Sequence, residues 1–270
     1  AYGQSKKIKP WIFPKIAAYS INKKIYGSDK MKKLRNIFLG VDMLLLCIAA
    51  GTMAESKALA ITGGMEQSGI TQPMMKESDV SMQDLAEKKV ALTFDDGPNA
   101  KYTEGLLEGL KERGVQATFF LLGHQVEKSP EIVKKMHEDG HLIGNHSYEH
   151  VNLSSLSDEA AMVQVDKTNE AIYQVTGEFP EYIRPPFGCW KSNLDYKTTM
   201  IEVLWNVDPL DWKTDNTDAV VQKVLKEVEE NDIILLHDAS ESSVNAAFRI
   251  IDTLKKEGFV FVTVDEILFD

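Results

Sequence analysis

Two carboxylates stand side by side where a run of strand-forming residues meets a turn. They are Asp95 and Asp96, in the segment ALTFDDGPNA at residues 91–100. Neighbouring side chains at the end of a strand point in different directions, so we expect the two carboxylates to serve separate purposes. One can bind a metal ion while the other faces the substrate and takes a proton from a water molecule that the metal activates. The alternative is an ordinary turn before Gly97 and Pro98.

A pair of histidines offers ligands for such a metal. The segment HSYEH places His146 and His150 four residues apart, on one face if the segment is helical. Two imidazoles and one carboxylate from FDDG form a His₂Asp set, which leaves positions open for water and substrate as in catalytic metal sites. The alternative is a helical face with two solvated histidines. The carboxylate pair and the histidine pair together therefore predict a metal site.

The same five residues also match H-x-x-E-H, the inverted zinc-protease motif, with Glu149 as the base. That motif requires a long helix. Gly144 and Asn145 precede it here and VNLSSLSD follows it, which favours a short or broken helix. A peptidase would also leave the aspartate pair without a function.

Another histidine, His237, follows the apolar run IILL and would emerge at a strand end, where a general acid can protonate a leaving group. Asp211 in DPLDW can hydrogen-bond this imidazole, fix its tautomer and raise its pKa. Arg184 in RPPFG can neutralise the aspartate that does not bind metal. The prolines of that segment restrict the backbone and can present the amide of Phe187 to an oxyanion. A buried structural histidine is the alternative for His237.

These polar clusters follow predicted strands that alternate with helical segments. The strand candidates are KVALTF, QATFFLL, HLIGNH, EYIRPP, EVLWNV, DIILLH and FVFVTV, with a helical run between each pair. Such alternation predicts an α/β domain over residues 85–270, with about seven parallel strands. A doubly wound sheet is the alternative, but polar clusters at the carboxyl ends of several strands favour a closed or nearly closed (β/α) barrel.

In their order along the chain, TFDDG, HSYEH, RPPFG, DPLDW and LLHD resemble the five motifs of the NodB-homology polysaccharide deacetylases, carbohydrate esterase family 4. The resemblance covers residues 88–268. It implies a distorted (β/α) barrel and the hydrolysis of N-acetyl groups on an aminosugar polysaccharide. Ser147 stands where threonine is common in the family, and Phe187 stands where tyrosine is common.

The resemblance also implies a role for each matching residue. Asp95 becomes the general base and His237 the general acid, while the divalent metal is bound by Asp96, His146 and His150. By the same resemblance, Arg184 positions the base and Asp211 tunes the pKa of the acid. Phe187 contacts the oxyanion. Trp212 and Leu235 line a groove for the sugar and the acetyl methyl.

Substrate and metal are less closely constrained by these motifs. We expect zinc, although cobalt, manganese or iron also suit an Asp-His-His set. The expected substrate is N-acetylglucosamine in peptidoglycan, with chitin oligomers, an exopolysaccharide or O-acetyl xylan as alternatives. A catalytically silent carbohydrate-binding module is an alternative of another class, but the sequence lacks none of the implied ligands or the acid.

The N-terminal part differs in charge from the rest of the chain. Residues 1–36 carry ten basic residues and one acidic residue, whereas the whole chain has a net charge of −11. The apolar segment 37–54 has about the minimum length of a transmembrane helix, and the basic residues before it predict a cytoplasmic N-terminal side. Asp42 favours the alternative of a signal-sequence hydrophobic region, and a buried core helix is a third interpretation.

Either exported version predicts a linker over residues 55–84 and a catalytic domain that is membrane-anchored or secreted. Cys47 lies in the apolar segment, so Cys189 has no expected disulfide partner in this domain. No basic patch follows residue 55, so nucleic acid is not an expected partner. We expect a monomer that acts on an acetylated aminosugar polysaccharide and contacts the membrane through its N-terminal segment.

Overall fold

The computed structural model describes residues 87–269. The predicted segments 1–36, 37–54 and 55–84 lie outside these residues. Within residues 87–269, no helix has the length and apolar character needed to cross a membrane.

Seven parallel strands form one sheet across the described residues, as the sequence predicted. The strands are β1 (Lys88–Asp95), β2 (Thr118–Leu121), β3 (Leu142–Asn145), β4 (Tyr182–Ile183), β5 (Ile201–Glu202), β6 (Asp232–His237) and β7 (Phe259–Val262). Their order is β5-β4-β3-β2-β1-β6, with β7 paired to the first half of β1.

The two ends of this strand order are joined by backbone contacts beyond β5. Val207 forms a parallel bridge with Ile234, and the amide of Leu235 donates to the carbonyl of Val207 at 2.9 Å. An open doubly wound sheet would keep its two edge strands apart. The curled parallel sheet therefore agrees with the distorted (β/α) barrel, although β5 overlaps the predicted EVLWNV segment only at Glu202.

Residues 87–269 contain seven α-helices, of which the first six lie between strands and the last follows β7. They are α1 (Thr103–Glu112), α2 (Gly123–Lys128), α3 (Pro130–Glu138), α4 (Asp158–Thr176), α5 (Thr217–Glu227), α6 (Glu241–Lys256) and α7 (Val264–Phe269). Side-chain caps fix where three of them begin. Ser157, Asn216 and Ser240 each accept a hydrogen bond from a backbone amide in the first turn of α4, α5 and α6.

The sequence prediction of a helix over SNLDYKTTM, between β4 and β5, is wrong. The structure has only a 3₁₀ turn at Ser192–Tyr196. Asp195 accepts a hydrogen bond from the indole N–H of Trp190, and the hydroxyl of Thr198 accepts one from the amide of Met200. Such local side-chain bonds compete with helical ones, and consecutive threonines favour a helix weakly. The short helices α2 and α7 were not predicted.

The two faces of β1 show how the fold separates its core from its site. Val90, Leu92 and Phe94 belong to the large apolar core that includes residues of helices α1 and α6. The alternate residues face the barrel interior, where Ala91 packs in a small apolar cluster with Phe120. Further along this inner face the side chains become polar, so the barrel interior leads from an apolar floor to a polar end.

Candidate active site

The carboxylates of the two aspartates make their shortest contacts with different groups, although Asp95 Oδ2 also lies 3.7 Å from Nε2 of His146. Asp95 ends β1, and its Oδ1 accepts a hydrogen bond from Nη1 of Arg184 at 2.8 Å. Asp96 follows with φ +73°, in the left-handed region, so the chain turns between them. Asp96 Oδ1 lies 3.4 Å from Nε2 of His146 and 3.4 Å from Nε2 of His150.

The segment that carries the two histidines is not helical, which corrects the helical interpretation of their spacing. β3 ends at Asn145, and the chain then turns with φ +70° at Ser147 and φ +54° at His150. This turn brings the ring centroids of His146 and His150 to 5.1 Å. Glu149 is exposed between them, so the helix and the inward-facing base that a zinc-protease motif requires are both missing here.

Three side chains fit a divalent cation. The ligand atoms of Asp96, His146 and His150 all lie within 4.8 Å of one another. Asp96 Oδ1 is buried and has no hydrogen-bond donor among the described residues, which is the environment expected of an oxygen that coordinates a cation. His146 donates from Nδ1 to the carbonyl of Arg184 at 2.6 Å, so its Nε2 presents a lone pair towards Asp96.

The electrostatic surroundings of this triad favour an ionised Asp96 and a neutral His150. Burial raises the pKa of Asp96, but the neighbouring imidazoles of His146, His150 and His237 lower that pKa below its usual range. Burial lowers the pKa of His150, partly opposed by Asp96. An ionised carboxylate beside neutral imidazoles is the protonation state that binds a metal.

Arg184 is fully buried in the barrel and is the main anchor of Asp95. Its Nη1 donates to Asp95 and to Oγ1 of Thr93 at 2.7 Å, and its Nε and Nη2 donate to the carbonyls of Val203 and Leu204. Burial lowers the pKa of its guanidinium, although the charge of Asp95 opposes this shift. The guanidinium thus balances one buried carboxylate and holds it by hydrogen bonds.

His237 is held by Asp211, as the sequence predicted. Asp211 accepts from Nδ1 of His237 at 2.8 Å, so Nε2 is left facing the triad, 3.9 Å from Asp96 Oδ2. Burial lowers the pKa of His237, but the hydrogen bond and charge of Asp211, with charge from both aspartates, raise it to about 9. A protonated imidazole at this position can act as a general acid near neutral pH.

The predicted substrate-contacting residues differ in exposure. Phe187 is 63% exposed with φ +60°, and its ring lies 4.7 Å from that of His150, which places it at the rim of the site. Trp212 is 61% exposed, and Leu235 is buried on the inner face of β6, two residues before His237. Contacts of these three side chains with a substrate remain predictions.

Two buried polar residues near the site had no predicted role. Thr93 accepts from Arg184 and donates to the carbonyl of Ile234 at 2.7 Å, so it joins Arg184 to β6. Asp238 accepts a hydrogen bond from Thr103, and burial raises its pKa to about 6. A side chain at Gly97 would overlap the Asp238 carboxylate. Thr93 lies in the motif TFDDG and Asp238 in the motif LLHD, so the motifs contained both residues although no role was predicted for either.

The chain is similar in sequence to one family profile and to several known proteins. The polysaccharide deacetylase family profile matches residues 82–203. The chain is 38% identical over 180 residues to the peptidoglycan-N-acetylglucosamine deacetylase PgdA of Listeria monocytogenes, which covers 67% of this chain and 39% of that protein. It therefore spans about two fifths of that relative.

Two other similarities cover most of the protein compared. A peptidoglycan-N-acetylglucosamine deacetylase of Bacillus cereus is 35% identical over 191 residues, which is 67% of this chain and 89% of that protein. The solved structure of the peptidoglycan deacetylase PdaC from Bacillus subtilis superposes with a TM-score of 0.66 at 38% identity, over 67% of this chain and 90% of that one.

Proposed function

The chain belongs to the polysaccharide deacetylase family, and we propose that it hydrolyses the N-acetyl groups of N-acetylglucosamine in peptidoglycan and releases acetate. One observation carries this proposal. Asp95 and His237 both lie beside the triad, with Asp95 Oδ2 3.7 Å from Nε2 of His146 and His237 Nε2 3.9 Å from Oδ2 of Asp96. Each is held by its own buried partner of opposite charge. A base and an acid placed around one metal is the arrangement that amide hydrolysis requires.

In the proposed reaction, Asp95 removes a proton from water, and the water oxygen bonds to the acetamide carbonyl carbon. Arg184 holds this carboxylate in place through the hydrogen bond that its Nη1 donates. In this proposal the amide of Phe187 donates a hydrogen bond to the oxyanion that develops on the carbonyl oxygen. His237 then gives its Nε2 proton to the nitrogen as the C–N bond breaks, so that acetate and a free amine result.

We propose that Asp96, His146 and His150 hold the divalent cation. When bound, such an ion acts as a Lewis acid that lowers the pKa of water and polarises the carbonyl. Zinc is the proposed metal, and cobalt, manganese or iron would also suit one carboxylate and two imidazoles.

The proposed substrate class is supported by the substrates of related proteins and by the side chains at the rim of the site. Phe187 and Trp212 are exposed large aromatic side chains, a type that packs against sugar rings. The relatives with the names given above act on peptidoglycan, which makes it the first polymer to test. Chitin oligomers, an N-acetylglucosamine exopolysaccharide and O-acetyl xylan are the alternatives.

We further propose that the catalytic domain acts outside the cytoplasmic membrane as a monomer. The support for this location is the apolar segment 37–54 after a basic segment, together with a polymer substrate that lies outside that membrane. Fractionation of cells that produce the full chain would test both the location and the membrane contact.

An acetate-release assay on the full chain tests the proposed reaction. Purified peptidoglycan, chitin oligomers and O-acetyl xylan are incubated with metal-stripped protein before and after addition of zinc, and an Asp95→Asn variant serves as the control. We expect acetate from peptidoglycan only with metal and with Asp95 present. Binding to peptidoglycan without acetate release would instead support a silent carbohydrate-binding module.

A further inference from the structure

The junction between β2 and α2 contacts both loops that carry the proposed metal ligands. The backbone amides of residues 122–124 donate, in order, to the carbonyls of Gly97, Ser147 and Tyr148 at 3.1, 3.0 and 3.3 Å. Gly97 follows Asp96 directly, and the other two carbonyls lie between His146 and His150. Three consecutive amides therefore connect the aspartate loop to the histidine loop.

One side chain in this junction adds to the backbone contacts. The ring of His124 lies with Nδ1 at 2.6 Å from the carbonyl oxygen of Tyr148, the same oxygen that its backbone amide contacts. A carbonyl oxygen only accepts, so Nδ1 carries the proton of this hydrogen bond. His124 thus holds the middle of the histidine loop with two donors.

The histidine loop needs such contacts because its backbone is strained. Ser147 and His150 both have positive φ, a conformation that is unfavourable for an L-residue. The two ligand rings face Asp96 only while both turns are maintained. The side chain of Tyr148 also contacts α2, because its hydroxyl donates a hydrogen bond to Glu127 of that helix at 2.7 Å.

We propose that His124 is a positioning residue of the metal centre. Its ring N–H holds the Tyr148 carbonyl and so keeps Nε2 of His146 and Nε2 of His150 at a common distance from Asp96 Oδ1. His124 does not contact the metal or the substrate in this proposal. The inference rests on the proposed function to the extent that the triad must bind a divalent cation.

A matched pair of substitutions at position 124 tests the hydrogen bond separately from the bulk of the ring. His124→Phe keeps a ring but has no donor, whereas His124→Asn places an amide N–H near the position of Nδ1. His137→Phe, a histidine on α3 that belongs to neither loop, is the control for the loss of a histidine. Each substitution is made in the full chain, which is stripped of metal before use.

The probe is Co²⁺ alone, followed by its visible absorption spectrum and by competition with a chromophoric chelator. We expect His124→Phe to weaken Co²⁺ affinity about tenfold, in the range typical of residues that orient metal ligands. We also expect a changed cobalt spectrum, because the geometry of the two imidazoles changes. His124→Asn should recover affinity to within about threefold of the original chain, and His137→Phe should match it.

The melting temperature of the metal-stripped variants separates positioning from folding. If His124→Phe lowers that temperature but binds cobalt as tightly as the original chain, the positioning role is wrong. It is also wrong if His124→Asn binds as weakly as His124→Phe, because the donor then does not matter. An original chain that binds no cobalt would overturn both this inference and the proposed metal site, whereas cobalt binding without acetate release would contradict only the proposed reaction.

Discussion

Asp211 accepts two hydrogen bonds from His237, one from its backbone amide and one from its ring Nδ1, both at 2.8 Å. The first fixes the carboxylate against the end of β6, and the second fixes the ring. The same carboxylate therefore orients the proposed acid and stabilises its protonated form.

Replacing Asp211 with asparagine should slow acetate release. It should also shift the alkaline decline of activity to lower pH. His237 must be protonated to act as the acid, and its raised pKa of about 9 keeps activity up to that pH. Without the Asp211 charge the pKa of His237 falls, so the alkaline decline should begin at lower pH. We expect kcat near pH 8 to fall by about 10²-fold or more. Acetate release measured from pH 6 to 10 checks this; an unchanged alkaline decline would contradict it.

The adjacent aspartates should separate metal binding from chemistry. Asp96→Ala removes a ligand, so the purified protein should contain little zinc and have little activity. Asp95→Asn should retain zinc, because Asp95 is held by Arg184 and stands outside the triad, yet lose about 10²–10⁴-fold in kcat. Elemental analysis with the acetate assay distinguishes the two variants. Loss of zinc from Asp95→Asn would show that Asp95 is itself a ligand.

Much of the fold followed from local sequence patterns. Short apolar runs predicted six of the seven strands over most or all of their length, because a buried parallel strand is apolar on both faces. The EVLWNV run overlaps β5 only at Glu202. The order of the polar segments also predicted which side chains meet, since the carboxyl ends of parallel strands lie together. His146, His237 and Arg184 are brought to one end of the barrel for this reason.

The loop geometry could not be predicted in the same way. The residue types of Ser147 and His150 do not indicate their positive φ values, and the loop between them accepts hydrogen bonds from the distant junction of β2 and α2. The helix α2, with the sequence GHQVEK, is too short to show a helical period. The contact of His124 with Tyr148 likewise joins residues 24 positions apart, which no local pattern reports.

His141 should make stability depend on pH below neutrality. The side chain is buried, and its Nδ1 accepts a hydrogen bond from the backbone amide of Ala117 at 3.1 Å. Burial lowers the pKa of His141 to about 4; Asp139 opposes this shift and Lys135 adds to it. In the unfolded chain His141 has a pKa near 6.5. The unfolded state therefore binds more protons than the folded state as pH falls from about 6.5 to 4. This residue should therefore cost about 2 kcal/mol of stability between pH 7 and pH 5.

Urea unfolding of metal-stripped protein at pH 7 and pH 5 measures this dependence. His141→Asn is the control, because its side-chain oxygen can accept the Ala117 amide without titrating. The free energy of unfolding of the variant should change less between the two pH values. An equal change in both proteins would assign the pH dependence to other groups.

Arg184 should be more important for stability when Asp95 is ionised than when it is neutral. Arg184→Met leaves a buried carboxylate without its cation, and breaking a buried pair in this way typically costs about 3–5 kcal/mol. Adding Asp95→Asn removes the uncompensated charge, so the double variant should recover part of that loss. Urea unfolding of the two single variants and the double variant gives the interaction energy. If the two effects simply add, the ion pair contributes no coupling, and packing of Arg184 between Phe120 and Trp205 accounts for its effect.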